Sequence, residues 1–61
     1  MGWILYLFYD KEKTKVLKIM EFNRIKDISY LLDLKPSIIS NYYHKFIHPR
    51  GILQYIYIYR T

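Results

Sequence analysis

Two adjacent segments in the middle of the chain repeat apolar residues every three or four positions, which is the spacing of one face of an α-helix. This spacing predicts a first helix over residues 24–32 and a second over residues 36–47. Asn23, directly before the first helix, belongs to a residue type that often caps a helix N-terminus. The apolar positions expected to bury the inner faces of the helices are Ile25, Ile28, Leu32, Leu34, Ile39 and Tyr42.

The short connection between these helices is typical of a helix-turn-helix. Asp33 stands where glycine is usual, and aspartate is one of the few other residues that enter the left-handed region at modest cost. Pro36 falls at the start of the second helix, where a proline loses no helical hydrogen bond. Because Ser29 is small, it leaves room for the second helix to approach the first. Residues 25–44 therefore predict two short helices that cross closely.

Three other segments are rich in β-branched and aromatic residues and predict strands over residues 3–9, 15–20 and 52–59. The polar residues 10–14 join the first two strands as a hairpin loop. Pro49 and Gly51 separate the second helix from the last strand. The order β-β-α-α-β predicts an α+β fold, a helix-turn-helix packed on a small antiparallel sheet, in a single domain over residues 1–61.

This organisation resembles the intron-encoded nuclease repeat, a nuclease-associated modular DNA-binding domain of homing endonucleases. The resemblance rests on YLFYDKEKTKVLKIMEF for the opening hairpin, NRIKDISYLLDLKPSIISNYY for the helix-turn-helix and ILQYIYIYR for the last strand. It covers nearly the whole chain. The resemblance implies a helix-turn-helix fold and binding to DNA.

Charge is distributed unevenly along the chain. The ten lysines and arginines exceed the five acids, and the net charge is +5. All five acids lie at or before Asp33, where six cations nearly balance them, whereas no acid follows. The cations after Asp33 are Lys35, Lys45, Arg50 and Arg60. A surface built from the second helix and the residues after it would therefore suit the phosphate backbone of a nucleic acid.

The second helix carries the candidate DNA-binding residues. If Ile39 and Tyr42 face inward, a set of polar side chains near the start and middle of the helix faces outward. Asn41 is the main candidate for reading a base, because an asparagine can form a bidentate pair with adenine in the major groove. Lysine and arginine are better suited to phosphates, which position a protein without specifying sequence. The predicted set is Lys35, Ser37, Ser40, Asn41, His44, Lys45 and Arg50, with Arg24 and Lys26 of the first helix near the flanking backbone.

The tyrosines of the last strand indicate a second type of surface. Alternation places Ile52, Ile56 and Ile58 toward the helices and the tyrosines on the opposite face of the sheet. An exposed aromatic patch of this kind favours a homodimer or a larger protein partner, and stacking on single-stranded bases is another use. A symmetric dimer would offer two recognition helices to successive major grooves about 34 Å apart. The predicted face consists of Trp3 or Tyr6 with Tyr55, Tyr57 and Tyr59. The alternative function is thus a small protein-interaction module, of viral or phage type.

Several other functions are not expected. The chain has no cysteine, so it can form no disulfide or cysteine-ligated zinc site. His44 and His48 have a metal-binding spacing on a helix, but no acid lies near them in sequence, so no metal or other cofactor is expected. No catalytic constellation is evident, so an enzyme is not expected either. Residues 1–9 are apolar but too few to span a bilayer, which favours an intracellular protein, cytoplasmic or nuclear, in the host cell if it is viral.

Overall fold

A three-stranded antiparallel sheet carries two helices on one of its faces in the computed structural model, which describes residues 2–61. The strand order is β2-β1-β3, so β1 is central and the other two strands form the edges. The elements are β1 Trp3–Phe8, β2 Val16–Phe22, α1 Ile25–Leu32, α2 Pro36–Tyr43, a 3₁₀ helix Gly51–Tyr55 and β3 Ile56–Arg60. The predicted α+β class and its order β-β-α-α-β are therefore confirmed.

The register of the sheet separates an inner face, which the helices cover, from an outer face. Leu5 lies opposite Met20 on one side and Ile58 on the other, and this layer points toward the helices. Tyr6 lies opposite Ile19 and Tyr57, and this layer points away from them. The buried apolar core consists of Leu5, Ile28, Ile39, Leu53, Ile56 and Ile58.

The helix-turn-helix forms as the sequence predicts. Ile28 of α1 and Ile39 of α2 are fully buried, and Ser29 between them is buried as well. The Ser29 hydroxyl donates a hydrogen bond to the Lys26 carbonyl oxygen at 2.6 Å, so this small polar side chain is satisfied where the helices meet. Asp33 has φ +55° and ends α1, and Pro36 is the first residue of α2. The predicted roles of these two residues in the turn are confirmed.

The second helix is shorter than predicted, because α2 ends at Tyr43 instead of Ile47. Lys45 has φ +62°, and the Phe46 N–H donates to the Asn41 carbonyl oxygen at 2.8 Å. The Lys45 N–H donates to the Tyr42 carbonyl oxygen at 3.0 Å. These two bonds form a Schellman cap, which usually uses glycine at the left-handed position. Because Lys45 stands where glycine is usual, the sequence did not indicate that α2 ends at Tyr43.

The last strand also differs from the prediction, since β3 begins at Ile56 and residues 52–55 belong to the 3₁₀ helix. Gly51, with φ +55°, lets the chain turn into this helix. Leu53 of this helix points into the core, where Ile56, the first residue of β3, is also buried. Ile52, which alternation placed inward, is exposed.

The capping residue of α1 also differs from the prediction. Arg24, not Asn23, is the capping residue, and no side chain bonds to the free N–H groups of the first turn. The first turn does hold Asp27, whose carboxylate lies 4.0 Å from the Arg24 guanidinium. An acid at this position interacts favourably with the helix dipole and stabilises the helix.

Candidate nucleic-acid interface

The outward side of α2 presents the polar residues that the sequence singled out. Ser37, Asn41 and His44 follow one another at spacings of four and three residues, so they lie on one side of the helix. This side is opposite Ile39, which is fully buried, and all three polar residues are exposed. Ser40 lies on the flank of the helix and is half-buried. The structure therefore brings most of the predicted base-reading residues together.

Three exposed cations bracket this polar stripe. Lys35 directly precedes the first turn of α2, Lys45 follows its last turn, and Arg50 precedes the 3₁₀ helix. No side chain caps the N-terminus of α2, where the peptide dipoles concentrate partial positive charge. Both ends of the helix thus carry positive charge next to an exposed polar face.

The turn between the helices borders a shallow surface cavity of about 410 Å³. Lys26 of α1 and Lys35 both line this cavity, which supports a common surface for the cations of the two helices. Asp33 lines the same cavity and is exposed, so it places one negative charge beside them. Arg24 lies 4.0 Å from Asp27 and, unlike Lys26, does not line this cavity.

The outer face of the sheet, on the side away from the helices, carries a cluster of four aromatic rings. The Tyr6 ring centroid lies 6.0 Å from that of Tyr59 and 6.3 Å from those of Tyr57 and Phe8. Tyr57 is 50% exposed, and Ile19 on the adjacent strand is 54% exposed. We call this surface, made of Tyr6, Phe8, Ile19, Tyr57 and Tyr59, the outer aromatic face.

Two of the residues predicted for this face lie elsewhere. Trp3 occupies the inner side of β1, where its ring meets that of Tyr43 edge to face at 5.0 Å and the Arg60 guanidinium lies 5.7 Å from it. Tyr55 belongs to the 3₁₀ helix and is half-buried. The sequence offered Trp3 or Tyr6 for this face, and the structure places Tyr6 there, because even-numbered residues of β1 face outward. A strict alternation from Leu5 could have shown this.

One tyrosine hydroxyl on each face of the sheet has a raised pKa. On the outer face, the hydroxyl of Tyr6 raises the pKa of Tyr59, with smaller effects of desolvation and of Tyr57 and Glu21. On the inner face, burial and the nearby Tyr57 raise the pKa of Tyr42. Tyr42 donates its hydroxyl proton to the Ile56 carbonyl oxygen at 2.6 Å, which ties the end of α2 to the start of β3.

A second and larger surface cavity, of about 600 Å³, lies beyond the C-terminus of α2. Lys13 of the hairpin loop, Lys45 and His48 line it together with Phe46 and Tyr57. Sequence reasoning did not connect Lys13 or Phe46 with any site, since only the fold brings the hairpin loop next to the segment after α2.

The two histidines lie apart from any cluster of metal ligands. The His44 ring stacks at 5.7 Å on Phe46 and meets the Tyr43 ring at 5.0 Å. Among residues 2–61 no three histidine, cysteine or acidic side chains are grouped so that they could hold a metal ion. Over the same residues, no helix has the length and apolarity needed to cross a membrane.

Comparison of the chain with models of known protein families, with curated protein sequences and with solved structures finds no match.

Proposed function

We propose that this chain is a non-catalytic module that binds double-stranded DNA with α2 in the major groove, as a regulator or as the targeting part of a larger assembly. The observation that supports this proposal is the exposed polar side of α2, which lies between Lys35 at one end and Lys45 and Arg50 beyond the other. No acid follows Asp33 in the sequence, so this part of the chain has no acidic side chain to repel phosphate. The family resemblance of the helix-turn-helix segment points to the same function.

The roles of the residues follow from their chemistry. A major groove about 12 Å wide admits an α-helix, and base edges are read from the helix side that faces its floor. Asn41 is at the centre of that side, where its amide can donate and accept toward adenine. Ser37 and His44, one turn away on either side, can reach phosphates or neighbouring base edges. The lysines and Arg50 would contact phosphates and set the position of the helix.

Salt dependence tests the electrostatic part of the proposal. Three phosphate contacts predict a slope of about −2.7 for the logarithm of the binding constant against that of salt concentration. The affinity should therefore fall about 40-fold between 50 and 200 mM salt. Lys35→Ala or Arg50→Ala should each make the slope shallower by about 0.9, as measured by fluorescence anisotropy with a labelled duplex.

Lys11→Ala is the matched control, because Lys11 is an exposed cation of the hairpin loop, outside the α2 surface. It removes the same charge and should leave the slope unchanged. If the protein has no affinity for any duplex at low salt, or if the three variants change the slope equally, α2 is not the phosphate-binding surface.

Sequence reading is tested separately with Asn41→Ala. A preferred site is first selected from a random duplex library, and its adenines are then replaced one at a time. The wild-type protein should lose about 1–3 kcal/mol at one adenine, whereas Asn41→Ala should bind both duplexes alike. Equal discrimination by the two proteins would assign base reading to another residue.

A second candidate function, a protein-interaction module, is favoured by the outer aromatic face. Four aromatic rings cluster there on the side of the sheet away from the helices, Tyr57 is 50% exposed, and exposed apolar patches mark interaction sites on small proteins. Tyrosine suits an interface because its ring is apolar while its hydroxyl is polar. The simplest partner is a second copy of this chain, joined face to face.

Such a dimer differs from the arrangement expected for a symmetric operator. The helices lie on the inner face of the sheet, so joining two outer aromatic faces would put the two copies of α2 on opposite sides of the dimer. It would bridge two duplexes instead of reading one. Sedimentation equilibrium of the wild type and of Tyr57→Ser tests this, since only the wild type should dimerise, and a monomeric wild type at all concentrations would exclude the dimer.

A further inference from the structure

The larger surface cavity lies across the free edge of β3. Tyr57 and Ile58 are consecutive residues whose side chains point to opposite faces of the sheet, yet both line this one cavity. A single cavity can touch both only around the side of the strand. The other side of β3 is paired with β1 over its whole length. The cavity therefore borders the unpaired edge.

The hydrogen-bond pattern shows which backbone groups are directed to this edge. The Thr61 N–H donates to the Gly2 carbonyl oxygen at 2.8 Å, so these two residues form a hydrogen-bonded pair. In an antiparallel ladder such pairs alternate with pairs whose N–H and C=O groups point away from each other. By this register, Ile56, Ile58 and Arg60 direct their backbone groups away from β1. The Ile56 carbonyl accepts the Tyr42 hydroxyl, which agrees with this direction and satisfies that group.

The edge of β3 also lacks the features that usually protect a free strand. Charged side chains and bulges prevent edge strands from pairing with other chains. The opposite edge of the sheet has both, because β2 carries Lys18 and Glu21 and its pairing with β1 is irregular between Leu7 and Phe8. In β3 no charged residue precedes Arg60. The β3 edge is therefore open to an added strand.

The charges around the cavity indicate what kind of strand would bind. Lys13 and Lys45 line it together with His48, and none of the lining residues is acidic. Phe46, which is 75% exposed, and Pro49 provide apolar contact beside them. A volume of about 600 Å³ is within the usual range of ligand sites, roughly 300–1,000 Å³.

We propose that this cavity binds an extended acidic peptide of a partner protein, which adds a fourth strand to the sheet beside β3. The free N–H and C=O groups of Ile58 and Arg60 pair with the peptide backbone, and its acidic side chains meet Lys13 and Lys45. A peptide suits this edge better than a nucleic acid, because a phosphate backbone only accepts hydrogen bonds and would leave both carbonyl groups unpaired. This inference does not rest on the proposed DNA binding, in which Lys13 has no part.

The test uses a synthetic capped peptide of alternating glutamate and valine, six residues long, added to the ¹⁵N-labelled protein. The amide signals of Ile58 and Arg60 should shift, and their exchange with deuterium should slow, as a new pair of hydrogen bonds forms. The same peptide methylated on alternate backbone nitrogens should not bind. Equal binding of the methylated peptide, or shifts confined to residues away from β3, would overturn the proposal.

The matched variants are Lys13→Gly and Lys11→Gly, which remove one lysine each from the same loop. Lys13 has φ +58°, so glycine fits its backbone and the variant should fold. Lys13→Gly should weaken peptide binding about 1.5-fold to fivefold, which is the effect of one exposed ion pair, and Lys11→Gly and Lys35→Ala should not. Equal affinity of all variants, or tighter binding of an eight-nucleotide oligothymidine at the β3 edge, would refute the proposal.

Discussion

Replacing Lys45 by glycine should stabilise the fold and weaken DNA binding at the same time. Lys45 holds the left-handed position of the Schellman cap that ends α2, with φ +62°. A left-handed conformation costs a residue with a side chain roughly 1–2 kcal/mol relative to glycine. Glycine loses more freedom on folding, which offsets about 0.5–1 kcal/mol. The net expectation is a gain of about 0.5–1 kcal/mol in the free energy of unfolding.

For a domain of this size, a change of 1 kcal/mol shifts Tm by about 4–8 °C. The increase can be followed by far-ultraviolet circular dichroism and by the fluorescence of Trp3, whose ring contacts Tyr43 at the end of α2. Because the variant also lacks one proposed phosphate contact, the salt slope of DNA binding should become shallower by about 0.9.

Lys45→Ala separates the two effects, since it removes the same charge but keeps a side chain in the left-handed position. It should bind DNA as weakly as Lys45→Gly, without the gain in Tm. If the two variants melt at the same temperature, the assignment of strain to Lys45 is wrong. If both bind DNA as tightly as the wild type, Lys45 makes no phosphate contact.

Asp33→Gly is the counterpart at the end of α1. Asp33 has φ +55°, and it lines the same cavity as Lys35. The substitution should raise Tm, by less than Lys45→Gly because aspartate tolerates this conformation better than lysine. It should also tighten DNA binding, because it removes the acid nearest the proposed interface. Weaker binding by this stabilised variant would contradict the placement of DNA at this turn.

Three further substitutions each test one hydrogen bond or one backbone conformation. Tyr42→Phe removes the hydrogen bond to Ile56 and should cost about 1 kcal/mol in urea unfolding; no change would mean that this bond does not hold α2 to β3. Gly51→Ala should cost about 1 kcal/mol through its backbone alone, because an added Cβ at φ +55° meets no atom within 4 Å, and an unchanged Tm would contradict that conformation. The hydrogen bond from Thr14 lowers the pKa of Asp10, so the carboxylate stabilises the fold above the ordinary pKa of aspartate, and this contribution is lost as the pH falls through the lower folded value. Asp10→Asn should therefore lose less stability than the wild type as the pH falls below about 4, and parallel pH profiles would refute this role.

Much of the fold and of the α2 surface could be predicted from the sequence, because the signals are local. Asp33 and Pro36 punctuate the helix-turn-helix by their own backbone preferences, and both act as predicted. The outward side of α2 follows from helical spacing once Ile39 is taken as buried. The end of α2 at Tyr43 could not be predicted, because Lys45 in the left-handed position is held by surrounding structure against its own preference.

The sequence by itself determined the order of the elements, the turn chemistry and the loss of acids after Asp33, which depend on residue identity and short spacing. Only the tertiary structure decided where β3 begins, and with it that Tyr55 lies in a 3₁₀ helix and not on the outer aromatic face. A single 3₁₀ helix changes the phase of the last segment and buries Leu53 in place of Ile52. The tertiary structure also places Lys13 and Lys45 around one cavity at the open edge of β3. These features depend on contacts between segments distant in sequence. Burial of the whole core decides which of the possible contacts form.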